Sequence, residues 1–112
     1  MHRTWAVTPT KIRAAVKRVV KAAHPTRVIL FGSSARGGRR VPHDVDLLII
    51  SGSEVQSPRK ESVRIRRALR GIPMPMDILI VSERRLREVA DQPGLVYRQA
   101  LREGKIVYDA SA

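Results

Sequence analysis

The chain has 112 residues, a length typical of one domain with its own buried core. Its 43% hydrophobic and 29% charged residues exclude a wholly disordered chain, and the absence of cysteine excludes a disulfide scaffold, a thiol nucleophile and a thiolate zinc site. The formal net charge is +12 and every Asp and Glu lies after position 43, which favours a polyanionic partner such as nucleic acid, nucleotide phosphate or an acidic protein surface.

The same features predict the domain organisation and the cellular location of the protein. We expect a single domain over residues 1–112. No apolar run approaches the roughly 20 residues that a membrane-spanning helix needs, and the start of the chain lacks the apolar stretch of a secretory signal. A cysteine-free chain also fits a reducing compartment, so we expect a cytoplasmic protein with no membrane contact.

The first half of the chain is predicted to contain one long helix followed by two strands. Apolar residues at helical spacing predict an amphipathic helix over Thr8–Ala23, which should end before Pro25. The apolar runs Arg27–Phe31 and Asp44–Ile50 predict strands that are covered on both faces. The glycine-containing segment 32–38 between them predicts a turn and a short helix.

The second half alternates helices with strands. Helices are predicted over Pro58–Arg70, Glu83–Asp91 and Leu95–Arg102, and strands over Met76–Val81 and Lys105–Tyr108. This order predicts an α/β or α+β fold with a small sheet.

Three aspartates adjoin apolar strands, where acids are uncommon. Asp44 and Asp46 are two residues apart, so strand geometry places their side chains on one face, roughly 7 Å apart. Asp77 begins another apolar strand, and pairing the two strands would bring a third carboxylate to the pair. Such an oxygen-only set suits Mg²⁺ or Mn²⁺. A single Asp at a strand start is more often a turn former, so the joint pattern carries the interpretation.

The Gly32-Ser33 turn follows the first predicted strand and opens the predicted short helix. Glycine lets the backbone approach a ligand closely, and free amides at a helix start bind phosphate oxygens. A Gly-Ser dipeptide alone is usually only a turn. The chain contains neither a GxxxxGK[ST] loop nor a GxGxxG motif, so the common nucleotide-binding folds are not indicated.

Together these segments form a motif string: FGSSARG from Phe31 to Gly37, DVDLL from Asp44 to Leu48, and the distal Asp77. The string resembles that of the polymerase beta type nucleotidyltransferase superfamily, in particular its small single-domain branch, the minimal nucleotidyltransferases (MNT). The ending REGKIVY from Arg102 to Tyr108 is similar to that branch as well. The chain departs from the family at His43, where Ser usually precedes the first aspartate.

The resemblance implies a polymerase beta-like fold, a small mixed sheet of about four strands flanked by helices. It also implies transfer of AMP from ATP to a hydroxyl group with two Mg²⁺ ions. Asp77 would share a metal ion and help to deprotonate the acceptor. The implied catalytic and metal-binding residues are Asp44, Asp46 and Asp77, and the implied nucleotide-binding residues are Gly32, Ser33 and Arg36.

Members of the MNT branch are often encoded beside HEPN-domain proteins as their antitoxins, in type VII-like toxin–antitoxin systems. The resemblance therefore implies a HEPN toxin partner with a tyrosine hydroxyl as the acceptor. Two alternatives remain open at this point: an antitoxin that acts by contact alone, and a basic nucleic-acid-binding protein. The second is motivated by the net charge and by the acid-free stretch from Met1 to His43. The basic helix Arg59–Arg70 is mostly a solvated face, although it could dock RNA or an acidic partner.

Overall fold

The computed structural model describes residues 5–32, 44–90, 92 and 96–112. Within them the chain forms four helices and four strands: α1 (Pro9–Ala23), β1 (Arg27–Phe31), β2 (Val45–Ser51), α2 (Pro58–Ala68), β3 (Met76–Ser82), α3 (Glu83–Val89), α4 (Val96–Glu103) and β4 (Lys105–Asp109). These eight elements confirm the predicted order, with ends that differ from the predicted ones by no more than two residues. The short helix predicted after Gly32 lies outside the described residues.

The helix ends follow from local side chains. The hydroxyl oxygens of Thr8, Ser57 and Ser82 cap α1, α2 and α3, each accepting a bond from the backbone N–H three residues later, at 3.2, 3.3 and 3.0 Å. At the other end of α1, His24 adopts a left-handed conformation with φ 48°, and its N–H donates to the Val20 carbonyl at 2.9 Å. The helix therefore ends just before Pro25, as predicted.

The four strands form one mixed sheet in the order β3-β2-β1-β4. β2 and β3 are parallel and are joined through α2, whereas β1 is antiparallel to both β2 and β4. The end of β1 and the starts of β2 and β3 therefore meet at one end of the sheet.

Helices cover both faces of the sheet. α1 and α2 pack on one face and α3 and α4 on the other, each layer enclosing its own apolar cluster. Residues of β2 alternate between the layers: Leu47 and Ile49 face α1 and α2, and Leu48 and Ile50 face α3 and α4. This alternation confirms the prediction that the apolar strands are buried on both faces.

β4 is an edge strand with an irregular register. Val28 is paired with Tyr108 and the next residue, Ile29, with Ile106, so Val107 is an extra residue in β4. Both Val107 and Tyr108 pack toward the α1–α2 layer. Such a bulge discourages further strands from adding to the edge.

None of the described helices combines the length and the apolar character needed to cross a bilayer. The longest, α1, has 15 residues and carries Lys and Arg along its exposed face.

Gly104 joins α4 to β4 at a point where the backbone passes close to β1. An alanine Cβ there would overlap the Ala100 carbonyl oxygen and lie 2.5 Å from Cγ2 of Ile29. We expect Gly104→Ala to lower the free energy of unfolding by about 1 to 3 kcal/mol, as overpacking does, in a urea titration. The control Gly52→Ala, whose Cβ would meet only Cγ2 of Thr26 at 3.0 Å, should cost less. An equal loss in the two variants would contradict this.

Candidate active site

Three aspartates meet at the end of the sheet where β2 and β3 begin. Asp44 directly precedes β2, and Asp46 and Asp77 are the second residues of β2 and β3. The parallel register pairs Asp46 with Asp77. One carboxylate oxygen from each of the three residues lies within 4.8 Å of the other two. The structure thus confirms the strand pairing that the resemblance implied, which unites the three acids.

The cluster lies on one side of the sheet and is open at one edge. Asp46 and Asp77 have the same alternation as Leu48 and Val81, so their side chains project on the α3–α4 side. Asp44 and Asp46 are half-buried, whereas Asp77 is exposed on the edge strand β3. Asp77 is therefore the member of the cluster that is accessible at the β3 edge.

The surroundings of Asp46 disfavour its ionised form. Burial raises its pKa above the ordinary value of 3.8, and the neighbouring charges of Asp44 and Asp77 raise it further. In the sheet register Asp46 lies between Phe31 of β1 and Asp77 of β3, an aromatic ring on one side and an acid on the other. A bound cation would relieve this repulsion.

Gly32 follows β1 directly and makes room for Asp46. Its φ is +75°, a conformation that L side chains rarely adopt, and a Cβ there would overlap Oδ2 of Asp46 and lie 3.2 Å from its Cγ. Sequence reasoning linked Gly32 to a close approach of phosphate and missed this contact. The signal that could have revealed it is the antiparallel pairing of Phe31 with Asp46, which places the next residue beside the carboxylate.

The other predicted nucleotide-binding residues, Ser33 and Arg36, lie outside the described residues, as does His43. Of the predicted site, the structure therefore brings together Gly32 and the three aspartates.

The donor set fits a hard divalent cation. All three ligands are carboxylate oxygens, the type that Mg²⁺ and Mn²⁺ prefer, and their separations allow them to share a cation. The partial burial of Asp44 and Asp46 gives the site a less polar surround on one side, and the exposed Asp77 leaves the other side open to a substrate.

Comparisons with known proteins identify the family of the chain. Residues 14–112 match the family profile described as polymerase beta, nucleotidyltransferase. The chain belongs to this family. A crystal structure of a Sulfolobus solfataricus protein assigned as a nucleotidyltransferase has the same fold, with a TM-score of 0.62 and 18% identity over 91% of this chain and 80% of that one. No curated protein matches the chain.

The family match and the shared fold confirm the predicted polymerase beta-like fold. Family membership indicates nucleotidyl transfer as the class of activity. The three clustered aspartates lie within the matched residues, where they could bind the metal ion of such a reaction.

Replacing Gly32 tests its contact with Asp46. We expect Gly32→Ala to lose about 1 to 2 kcal/mol of stability from its left-handed backbone and, because the Asp46 carboxylate must move, to weaken Mn²⁺ binding at least about tenfold. Thermal unfolding with increasing Mn²⁺ measures both effects. Gly71→Ala is the matched control: φ is +89°, but its Cβ would come no closer than 3.9 Å to Arg18. Wild-type Mn²⁺ affinity in Gly32→Ala would contradict the expectation that this contact positions Asp46 for metal binding.

The raised pKa of Asp46 predicts how stability depends on pH when divalent cations are removed with EDTA. The ionised carboxylate is disfavoured in the folded state, so its cost is absent below the ordinary value of 3.8 and complete above the raised pKa. We therefore expect Asp46→Asn to be more stable than the wild type at pH 7 and to lose this advantage as the pH approaches 4. Urea unfolding at a series of pH values measures the difference.

Asp109→Asn is the control, because the pKa of Asp109 is shifted in the opposite direction to that of Asp46. Hydrogen bonds from the Ser111 hydroxyl and backbone N–H hold the pKa of Asp109 below its usual range, so this variant should gain no stability at pH 7. Added Mg²⁺ should stabilise the wild type and leave Asp46→Asn unchanged. An Asp46→Asn variant that is less stable than the wild type in EDTA at pH 7 would be evidence against the argument.

Proposed function

We propose that the protein catalyses Mg²⁺-dependent transfer of AMP from ATP to a hydroxyl group. One observation carries the proposal: three carboxylate oxygens lie within 4.8 Å of one another beside Gly32, in a chain of the polymerase beta nucleotidyltransferase family. A structural carboxylate normally has a cationic or hydrogen-bonding partner, whereas Asp46 is half-buried between two other acids.

The three aspartates have distinct roles in this proposal. Asp44 and Asp46 would hold Mg²⁺, and Asp77, the exposed member, would share a metal ion and accept the proton of the acceptor hydroxyl. The acceptor oxygen forms a bond to the α-phosphorus of ATP, the bond from that phosphorus to the bridging oxygen breaks, and pyrophosphate leaves with the electron pair. When bound, Mg²⁺ neutralises the negative charge on the phosphates.

The nucleotide is positioned by the segment that follows β1. In our proposal the backbone at Gly32 and the backbone and hydroxyl of Ser33 bind the triphosphate, and Arg36 donates hydrogen bonds to phosphate oxygens. The closeness of Gly32 to the Asp46 carboxylate supports this proposal because it puts the start of this segment beside the acidic cluster.

The proposed acceptor is a tyrosine hydroxyl on a HEPN-domain toxin, with this protein acting as its antitoxin in the cytoplasm. The FGSSARG and DVDLL motifs support the assignment because they resemble the MNT branch. The exposure of Asp77 on an edge strand supports it too, since a side chain on a folded protein could reach the cluster there.

The test incubates purified protein with ATP labelled on the α-phosphate and with Mg²⁺, in the presence and absence of a HEPN protein encoded beside it. We expect label on the HEPN protein, mapping to tyrosine, and none when the label is on the γ-phosphate. Asp44→Asn/Asp46→Asn should abolish transfer because two of the three metal ligands are lost.

Asp109→Asn is the matched control, an Asp-to-Asn change on β4 that should retain full transfer. Loss of transfer in the Asp44→Asn/Asp46→Asn variant with retained binding to the partner would support catalysis. If the wild type transfers nothing to protein or to added tRNA, and the variant protects cells from the toxin as well as the wild type does, the protein acts by contact alone.

A further inference from the structure

The two helical layers of the molecule differ in charge. α1 and α2 carry five Lys or Arg residues each, with a single Glu in α2 and no acid in α1. On the other face, α3 has three Arg and two Glu, and α4 has two Arg and one Glu. Both layers belong to the same Arg-rich chain, so composition alone does not explain why the excess charge lies on one face.

α1 and α2 present this charge as one continuous surface. Arg18 of α1 donates to the Ala68 carbonyl of α2 at 3.5 Å, and Arg64 of α2 donates to the Ala22 carbonyl of α1 at 2.6 Å. These bonds run in both directions across the groove between the helices. The outer sides of the two helices therefore form a single basic face, which we call the α1–α2 face.

Many cations of the α1–α2 face are available to a ligand. Its only acid, Glu61, is paired with Arg64. Within the described part of the chain, eight exposed residues of this face form no ion pair: Arg13, Lys17, Arg18, Lys21, Arg59, Lys60, Arg66 and Arg67. Two of them, Arg18 and Arg66, donate to backbone carbonyls instead. Binding a polyanion would therefore require little rearrangement of existing ion pairs.

The chemistry of the α1–α2 face favours nucleic acid over an acidic protein. Protein interfaces centre on apolar and aromatic anchors, but neither helix contains an aromatic residue, and Val63 is its one exposed large apolar side chain. The lack of aromatic residues also removes the means of stacking bases. What remains is a set of cations suited to phosphates.

The acidic cluster does not oppose such a ligand. Asp46 and Asp77 project on the α3–α4 side of the sheet, away from the α1–α2 face. We propose that the α1–α2 face binds the phosphodiester backbone of nucleic acid without sequence preference. This binding goes beyond the proposed transfer reaction and does not depend on it.

The test measures fluorescence anisotropy of labelled duplexes of about 20 base pairs, one of RNA and one of DNA, from about 50 to about 300 mM KCl in EDTA without nucleotide. The wild type should bind, and its affinity should fall steeply with salt. Lys60→Gln/Arg67→Gln removes two cations that bond to no other described group, so it should weaken binding roughly tenfold at the lowest salt and reduce the salt slope by about 2.

The control Arg87→Gln/Arg102→Gln removes the same charge from α3 and α4 and should leave the slope unchanged. Binding to either duplex supports the proposal, and the comparison of the two shows which nucleic acid is preferred. Equal losses in the two double variants, or no salt-dependent binding by the wild type, would overturn it. So would tighter binding of poly-glutamate than of either duplex, which would assign the face to an acidic protein.

Discussion

The parallel pairing of β2 with β3 is the constraint on which the rest of the structure depends. Its register sets Asp46 beside Asp77, and because side chains alternate along a strand, a slip of one residue would move Asp77 to the opposite face. Parallel strands also need a crossover, which α2 supplies, and α2 packs beside α1. The acidic cluster and the basic helical layer thus both follow from one strand pairing.

The candidate site lowers the stability of the folded chain. Three carboxylates repel one another, and Asp46 is half-buried as well, which is why its pKa rises. The fold accommodates this arrangement at the end of the sheet, where Asp77 is open to solvent and Gly32 has no side chain to displace Asp46. Sites that bind charged groups often carry such local destabilisation, because the ligand supplies the missing interaction.

Much of the fold could be predicted because the decisive signals are local. The run Leu47–Ile50 is apolar without interruption, which indicates burial on both faces, and Ser82 and Pro25 mark helix ends by their chemistry. The three aspartates stand out in the sequence because each adjoins such a run, but the strand pairing that unites them was implied by the family resemblance. Three features could not be predicted in this way: the contact of Gly32 with Asp46, the bulge at Val107 and the charge difference between the helical layers. They depend on strand register and on which face of the sheet each helix covers. Neither the register nor the choice of face is a local property of the sequence.

The separation of charge across the sheet gives the molecule an electric dipole. Among the described elements, its more positive side is the α1–α2 face, and its less positive side is the one from which Asp46 and Asp77 project. The electric field of a polyanion rotates such a molecule before the two make contact. This rotation occurs within a Debye length of the polyanion, which is about 10 Å at 0.1 M salt. It would arrive with its basic helices inward and its aspartates turned outward. The orientation of the bound molecule is thus decided during the approach.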